Sequence, residues 1–213
     1  MLLGDGVILG EAVARQAGTE GMIDASAAQG IAKDFVPDSR QSGFTLNEAQ
    51  RVDPVLAGQL ADAAVKLAAE LRAHVSERAP CASPATDADQ CAAEFIGKFG
   101  LQAYRRPLGD DEVAQLMTVF HTGLEGGSYD EGIELVTRAM LQSAAFLYLT
   151  EIGPAPAATV ELTPYEVAAS ISFLIQGRPP SRELLTQVKD LGADGARQAI
   201  LSDPNLLGLA AHD

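Results

Sequence analysis

Apolar residues recur at three- and four-residue intervals along most of this chain, which is the spacing of one face of an α-helix. The clearest stretch begins at Asp53 and Pro54, a pair typical of a helix start, and continues to about Arg78. A second helix is predicted from about Asp89. Because no window shows strict apolar alternation with β-branched residues, strands are not predicted. The pattern favours an all-α fold, an irregular bundle of about eight helices.

The stretch "QAYRRPLGDDEV" lies between two of these helices and combines two cations, a proline and three acids. Pro107 ends the first helix near Arg105 and Arg106, whose charges complement the negative end of the helix dipole. The acids that follow fall in the first turn of the next helix, where negative charge is favoured. We interpret the stretch as a corner between two helices. The alternative is that the two arginines bind a ligand.

Two further helix starts are marked by capping sequences. Ser128 and Glu131 have the spacing of a capping box, and so do Thr163 and Glu166, with Pro164 at the first helical position. Between them, "GPAPAATVE" is the best candidate linker in the chain.

This linker divides the chain into two predicted regions. Residues 1–152 form an N-terminal helical region, made of an irregular segment at 34–52 and a helical core at 53–152. Residues 160–213 form a C-terminal helical region, which we expect to be truncated.

Composition narrows the classes of partner. The chain carries 29 acidic against 15 basic residues, a formal net charge of −14, which argues against binding to nucleic acid or to an anionic membrane surface. No stretch is apolar for long enough to span a membrane. The first residues do not have the pattern of a signal peptide either, so we expect any export signal to lie outside this sequence.

The two cysteines, Cys81 and Cys91, flank a short loop rich in serine, proline and aspartate. Their spacing suits one local disulfide in an oxidising compartment, and two free thiols are the alternative. A zinc site is not favoured, because no further cysteine or histidine lies nearby.

Few residues in the sequence suggest catalysis. The three histidines, His74, His121 and His212, are scattered, and no metalloprotease, nucleophile-elbow, phosphate-loop or haem-attachment motif is present. We therefore predict no catalytic residue, no metal and no cofactor.

Five stretches in chain order resemble a set of adjoining domains of unknown function, numbered 1587, 1595 and 1592. They are "DFVPDSRQSGF", "RVDPVLAGQLADAAVKLA", "FIGKFGLQAYRRPLGDDEVAQLMTVF", "YDEGIELVTRAMLQSAAFLYLTEIG" and "LTPYEVAASISFLIQGRPPSRELL". Such domains occur in large secreted proteins of planctomycetes and myxobacteria, often beside cytochrome-c-like domains. The resemblance implies a periplasmic or extracellular location. It supplies no catalytic residues that could be transferred to this chain.

The chain also departs from this pattern. Residues 1–5 resemble a family helix that is cut in its middle, no aromatic residue follows Phe173, and the downstream module with a Cys-x-x-Cys-His motif is missing from this sequence. We therefore expect a fragment or a shortened relative. The apolar residues Leu206, Leu207 and Leu209 near its end predict contact with another protein chain or with a second copy.

These observations favour a non-catalytic helical scaffold or binding module of an exported bacterial protein. One alternative is an accessory part of a secreted enzyme or redox protein that acts on an extracellular polymer. Another is a subunit of a larger assembly. The candidate ligand or partner corner consists of Arg105, Arg106, Tyr165 and Glu166. Convergence of these residues on one concave pocket would favour the enzyme alternative, whereas an apolar flat patch would favour the assembly alternative.

Overall fold

Eight α-helices make up most of the part of the chain that the structure describes. The computed structural model describes residues 30–31, 40–41, 44–45, 54–153, 161–176 and 179–202. The helices are α1 (Pro54–Ala73), α2 (Val75–Arg78), α3 (Ala88–Ala103), α4 (Asp110–Gly126), α5 (Tyr129–Leu141), α6 (Ala144–Leu147), α7 (Pro164–Gln176) and α8 (Arg182–Leu201). The predicted all-α bundle is confirmed. No described helix has the length and apolar character that crossing a membrane requires.

One short ladder interrupts the segment that we expected to be irregular. Strand β1 (Arg40–Gln41) pairs antiparallel with β2 (Phe44–Thr45), and Arg40 lies opposite Thr45. The pattern of apolar residues could not reveal it, because two-residue strands are too short to show alternation.

The main core is formed by the apolar faces of α1, α3, α4 and α5. Leu67 and Leu71 of α1, Ile96 of α3, Phe120 of α4 and Ile133 of α5 are almost completely buried. Burial of one apolar face from each of these helices explains the packing.

A second, smaller cluster joins α7 to α8 and includes Ala168, Val188, Ala196 and Ile200. Helix α8 contains a kink at Gly192, whose φ of 66° lies in the left-handed region that glycine tolerates. The sequence predicts one helix that stops at Gly192 and another that begins at Asp194, and the kink lies at this glycine. The division of the chain into two domains stays a prediction.

A disulfide between Cys81 and Cys91 connects the segment after α2 to the first turn of α3, with a Cα–Cα distance of 5.5 Å. The predicted disulfide is therefore present, and the alternative of two free thiols is wrong for this structure. Closing a loop of this length stabilises the fold by about 2–3 kcal/mol. The hydroxyl of Tyr129, at the start of α5, also donates to the carbonyl of Ala79, so α5 holds the chain just before Cys81.

Helices α4 and α5 approach each other most closely at two glycines. A Cβ atom on Gly123 would lie 2.7 Å from the Cα of Gly132, and one on Gly132 would lie 2.5 Å from the ring of Phe120. Since real Cβ atoms do not approach backbone this closely, the spacing of the two helices depends on the missing side chains.

We predict that Gly123→Ala lowers the free energy of unfolding by about 1–3 kcal/mol, because the added methyl group must push α4 away from α5. Urea denaturation measures this change. The matched control is Gly97→Ala on the exposed side of α3, where nothing lies within 4 Å of the new Cβ and a gain of up to about 1 kcal/mol is expected. Equal stabilisation by both substitutions would contradict the close approach.

Candidate functional site: the arginine corner

Residues 104–109 connect α3 to α4, and we call this segment the arginine corner. Helix α3 ends at Ala103 with Tyr104 as its C-cap, and Arg105 follows with a φ of 58°. Many helices place a residue in the left-handed conformation at this position, but it is usually glycine. Because an arginine adopts this conformation only at some cost, its side chain must make contacts that compensate for the strain.

The guanidinium of Arg105 makes those contacts with backbone carbonyls. It donates to the carbonyl of Ala103 at 3.1 Å and, across the fold, to those of Ala145 at 2.6 Å, Phe146 at 3.2 Å and Tyr148 at 2.9 Å. The last carbonyls of a helix lack partners within that helix, and α6 ends here. Arg105 therefore joins the end of α3 to the end of α6.

Arg105 is a buried cation whose acceptors are all carbonyls. Its side chain is almost inaccessible, with a relative exposure of 5% for the residue, and the ring of Phe173 lies 5.9 Å from its Cζ atom. Burial, followed by the charge of Arg106, lowers the pKa of Arg105 to about 10. Arg105 therefore stays protonated at neutral pH. Among the described residues, no carboxylate contacts its guanidinium.

Arg106 is half-exposed and pairs with Glu112 in the first turn of α4. Two parallel hydrogen bonds of 2.8 Å join its Nη1 and Nη2 atoms to the two carboxylate oxygens, and Nη1 also donates to the carbonyl of Pro107. One oxygen of Glu112 accepts the N–H of Gly109, which caps α4. The bond from Arg106 is the main reason that the pKa of Glu112 is lowered.

Glu166 in the first turn of α7 fastens that helix to the segment after α6. Its Oε2 accepts the N–H and the hydroxyl of Thr163, which completes the predicted capping box. Its Oε1 accepts the N–H groups of Ile152 at 2.9 Å and Gly153 at 3.0 Å. Burial alone would raise the pKa of Glu166, but these hydrogen bonds together outweigh it and lower the pKa.

A shallow concavity, which we call the corner concavity, lies where these residues meet. The arginine corner contributes Tyr104, Arg105 and Arg106, and α7 contributes Tyr165 and Glu166. Leu149, Thr150 and Ala169 complete the lining, and the space inside is about 260 Å³, including its open mouth. All four residues of the candidate corner therefore face one concave surface, although binding of a ligand there stays a prediction.

Other candidates from the sequence are placed differently. Leu206, Leu207 and Leu209 lie outside the described residues, so their role as an interface stays a prediction. Ser128 accepts a hydrogen bond from the N–H of Glu131, but the carboxylate of Glu131 contacts Arg72 of α1 instead of completing the capping box. No group of three or more potential metal ligands occurs within the described ranges.

Sequence reasoning missed the partners that lie far along the chain. The contacts of Arg105 with residues after α5, and of Glu166 with Ile152 and Gly153, depend on tertiary structure. One signal was available for Arg105. A helix that must stop before Pro107, with arginine instead of glycine after its C-cap, indicates a side chain that is held in place.

Comparison with known proteins gives one match. Residues 91–151 match the model of a family described as "PSD5: Protein of unknown function (DUF1595)". The matched segment includes Cys91, the arginine corner and the carbonyls that bind Arg105. The resemblance to domain 1595 is thereby supported, whereas the resemblance to domains 1587 and 1592 and the bacterial groups stay predictions. Neither the curated proteins nor the solved structures contain a match to this chain.

We predict that Glu166→Gln lowers the free energy of unfolding by about 1–2 kcal/mol at neutral pH. Both carboxylate oxygens of Glu166 accept hydrogen bonds, whereas a glutamine has only one accepting oxygen and its NH2 group would face donors. The pKa of Glu166 is lowered from 4.5 on folding, so its ionised form stabilises the fold above that pH. This contribution disappears as the pH falls through the folded-state pKa. Denaturation of both proteins from pH 7 to pH 3 should therefore show their difference shrinking in acid.

The matched control for this experiment is Glu161→Gln, which removes one exposed carboxylate just before α7. Its effect should stay within about 0.5 kcal/mol at every pH. A difference between the native protein and Glu166→Gln that does not change with pH would contradict the role of the ionised carboxylate.

Proposed function

We propose that this chain is a non-catalytic helical module that serves as a scaffold and binding unit in an exported bacterial protein. One observation carries the proposal: Arg105 and Glu166, two charged residues at the corner concavity, are occupied in joining helices. Arg105 holds the ends of α3 and α6, and Glu166 holds the start of α7 to Ile152 and Gly153.

The same contacts argue against acid–base chemistry at the corner concavity. A general base works best when its pKa is near the operating pH, and its oxygens must be able to reach the substrate proton. The pKa values of Glu112 and Glu166 are both lowered, and their oxygens already accept hydrogen bonds from the protein. These carboxylates are therefore suited to holding structure rather than to moving protons.

The disulfide supports the exported part of the proposal. Disulfides persist in oxidising compartments such as the periplasm and the extracellular space, and the Cys81–Cys91 bond closes a loop next to the main core. If the protein is not exported, alkylation of the unreduced protein from its natural source should reveal free thiols.

Exposed apolar side chains support a protein partner. Ile152 is 69% exposed and Leu174 is 65% exposed, and Ile175, Leu191 and Leu201 are also accessible. All five follow residue 151, near α7 and α8, whereas only Val55 and Val65 are comparable in the rest of the described chain. This concentration favours contact with another protein chain, and a second copy of this chain is the first partner to test.

We predict that Arg105→Lys lowers the free energy of unfolding by about 2–4 kcal/mol. A lysine ammonium keeps the charge but cannot reach four carbonyls that surround a planar guanidinium, so a cation and several acceptors would be buried without adequate partners. Chemical denaturation measures the loss. Arg138→Lys on the exposed face of α5 is the control and should change stability by less than about 0.5 kcal/mol. Unchanged stability of Arg105→Lys would refute the scaffold role.

We also predict that the purified chain self-associates at micromolar concentration, because burying exposed leucine side chains is favourable. Sedimentation velocity should show a species larger than the monomer that dissociates in Leu174→Ser/Leu201→Ser. Val55→Ser is the matched control, since Val55 is equally exposed but lies on α1. A native protein that stays monomeric would exclude self-association and leave a different chain as the partner.

A further inference from the structure

Helix α8 buries one of its faces against α7 and leaves two leucines exposed. Val188, Ala196 and Ile200 form the buried contact together with residues of α7. Leu191 and Leu201 of the same helix are 41% and 57% exposed. Association with another chain through α8 would remove these leucines from water, which is favourable.

The region that carries α7 and α8 is nearly neutral, although the chain as a whole is strongly acidic. Residues 1–160 contain 22 acidic and 11 basic residues, whereas residues 161–202 contain five acidic and four basic residues. Two copies of a chain with a net charge of −14 repel each other, and the repulsion is weakest where the meeting surfaces are nearly neutral. Contact between two copies is therefore opposed less at α7 and α8 than over residues 1–160.

Helix α8 itself carries equal numbers of basic and acidic residues, three of each. Four of these charges lie close to Leu191 in the sequence. Lys189 and Asp190 are exposed, and neither forms an ion pair with another described residue. Asp194 and Arg197 pair with each other at 3.0 Å, but their side chains stay 95% and 58% exposed.

This balance of charge distinguishes between kinds of partner. A surface of one sign attracts a partner of the opposite sign, whereas a surface with both signs in equal number is complementary to a copy of itself. The charges of α8 therefore favour a second copy of this chain over a strongly basic or strongly acidic protein.

We propose that α8 docks on α8 of a second copy of this chain, about a two-fold axis. Such an axis brings the same helix of both copies together, and Lys189 and Arg197 of each copy meet Asp190 and Asp194 of the other. Leu191, which lies between these charges in the sequence, is covered by the same contact. The inference rests on the proposed function, since it names the partner and the docking helix of the binding module.

Charge reversal in the full chain tests this contact. One variant, Asp190→Lys/Asp194→Lys, leaves only positive charges near Leu191, and the other, Lys189→Glu/Arg197→Glu, leaves only negative charges there. Each variant alone should dimerise about tenfold or more weakly than the native chain, because like charges then face each other, whereas an equimolar mixture should form a mixed dimer. Sedimentation velocity over a dilution series measures the dissociation constants, and native mass spectrometry identifies the mixed dimer by its mass.

The matched controls reverse exposed charges on α1 and α3, in the variants Asp62→Lys/Glu94→Lys and Lys66→Glu/Lys98→Glu. They change the net charge of the chain by the same amounts as the α8 variants, so they reveal any effect of net charge alone, and they should show no preference for a mixed dimer. The melting temperature of each variant shows whether it is folded. The single changes Lys189→Glu and Asp190→Lys replace any double variant that does not fold.

Two results would overturn the proposal. One is a native chain that stays monomeric at every concentration of the dilution series. The other is a native dimer whose α8 variants show no preference for the mixed dimer, which would assign self-association to another surface. Neither result bears on the scaffold role, because that role is tested by the stability of Arg105→Lys.

Discussion

The buried guanidinium of Arg105 is the contact on which the arrangement of the later helices depends. One planar group donates to carbonyls at the ends of α3 and α6, two elements separated by about forty residues of sequence. Since α6 has a single turn, it could not satisfy its own last carbonyls or keep its position alone. The first residues after α6 are therefore held in place by Arg105.

Glu166 adds a second set of contacts, from the first turn of α7. Its carboxylate accepts N–H groups just after α6 and caps α7 at the same time. The start of α7 is therefore held against the residues that follow the carbonyls bound by Arg105. Phe173, two turns further along the same face of α7, lies against the guanidinium of Arg105, with its ring centre 5.9 Å from Cζ. The family match ends at residue 151, immediately before the N–H groups that Glu166 binds. The last matched residue is itself joined to α7, because the carboxylate of Glu151 accepts the hydroxyl of Ser170.

The sequence predicts the helices of this arrangement but not the contacts between them. The helix starts at Gly109, Ser128 and Thr163 depend on neighbouring residues, and local patterns describe them well. The disulfide is likewise a local closure. The partners of Arg105 are carbonyls, which every residue carries, so no residue type in the sequence could identify them. The concave surface depends on these tertiary contacts. The sequence could therefore raise it only as a question to be tested.

Arg105 and Arg106 are adjacent in sequence, yet the backbone gives them opposite environments. The left-handed conformation of Arg105 turns the chain, so that one guanidinium enters the interior and the next stays at the surface. The buried group is surrounded by acceptors and cannot exchange them for a ligand without breaking the fold. The surface group is held by one carboxylate on one edge, and its other edge has no hydrogen-bond partner among the residues that the structure describes. The two arginines therefore divide their roles: Arg105 holds the interior of the corner together, and Arg106 holds the start of α4 at its surface.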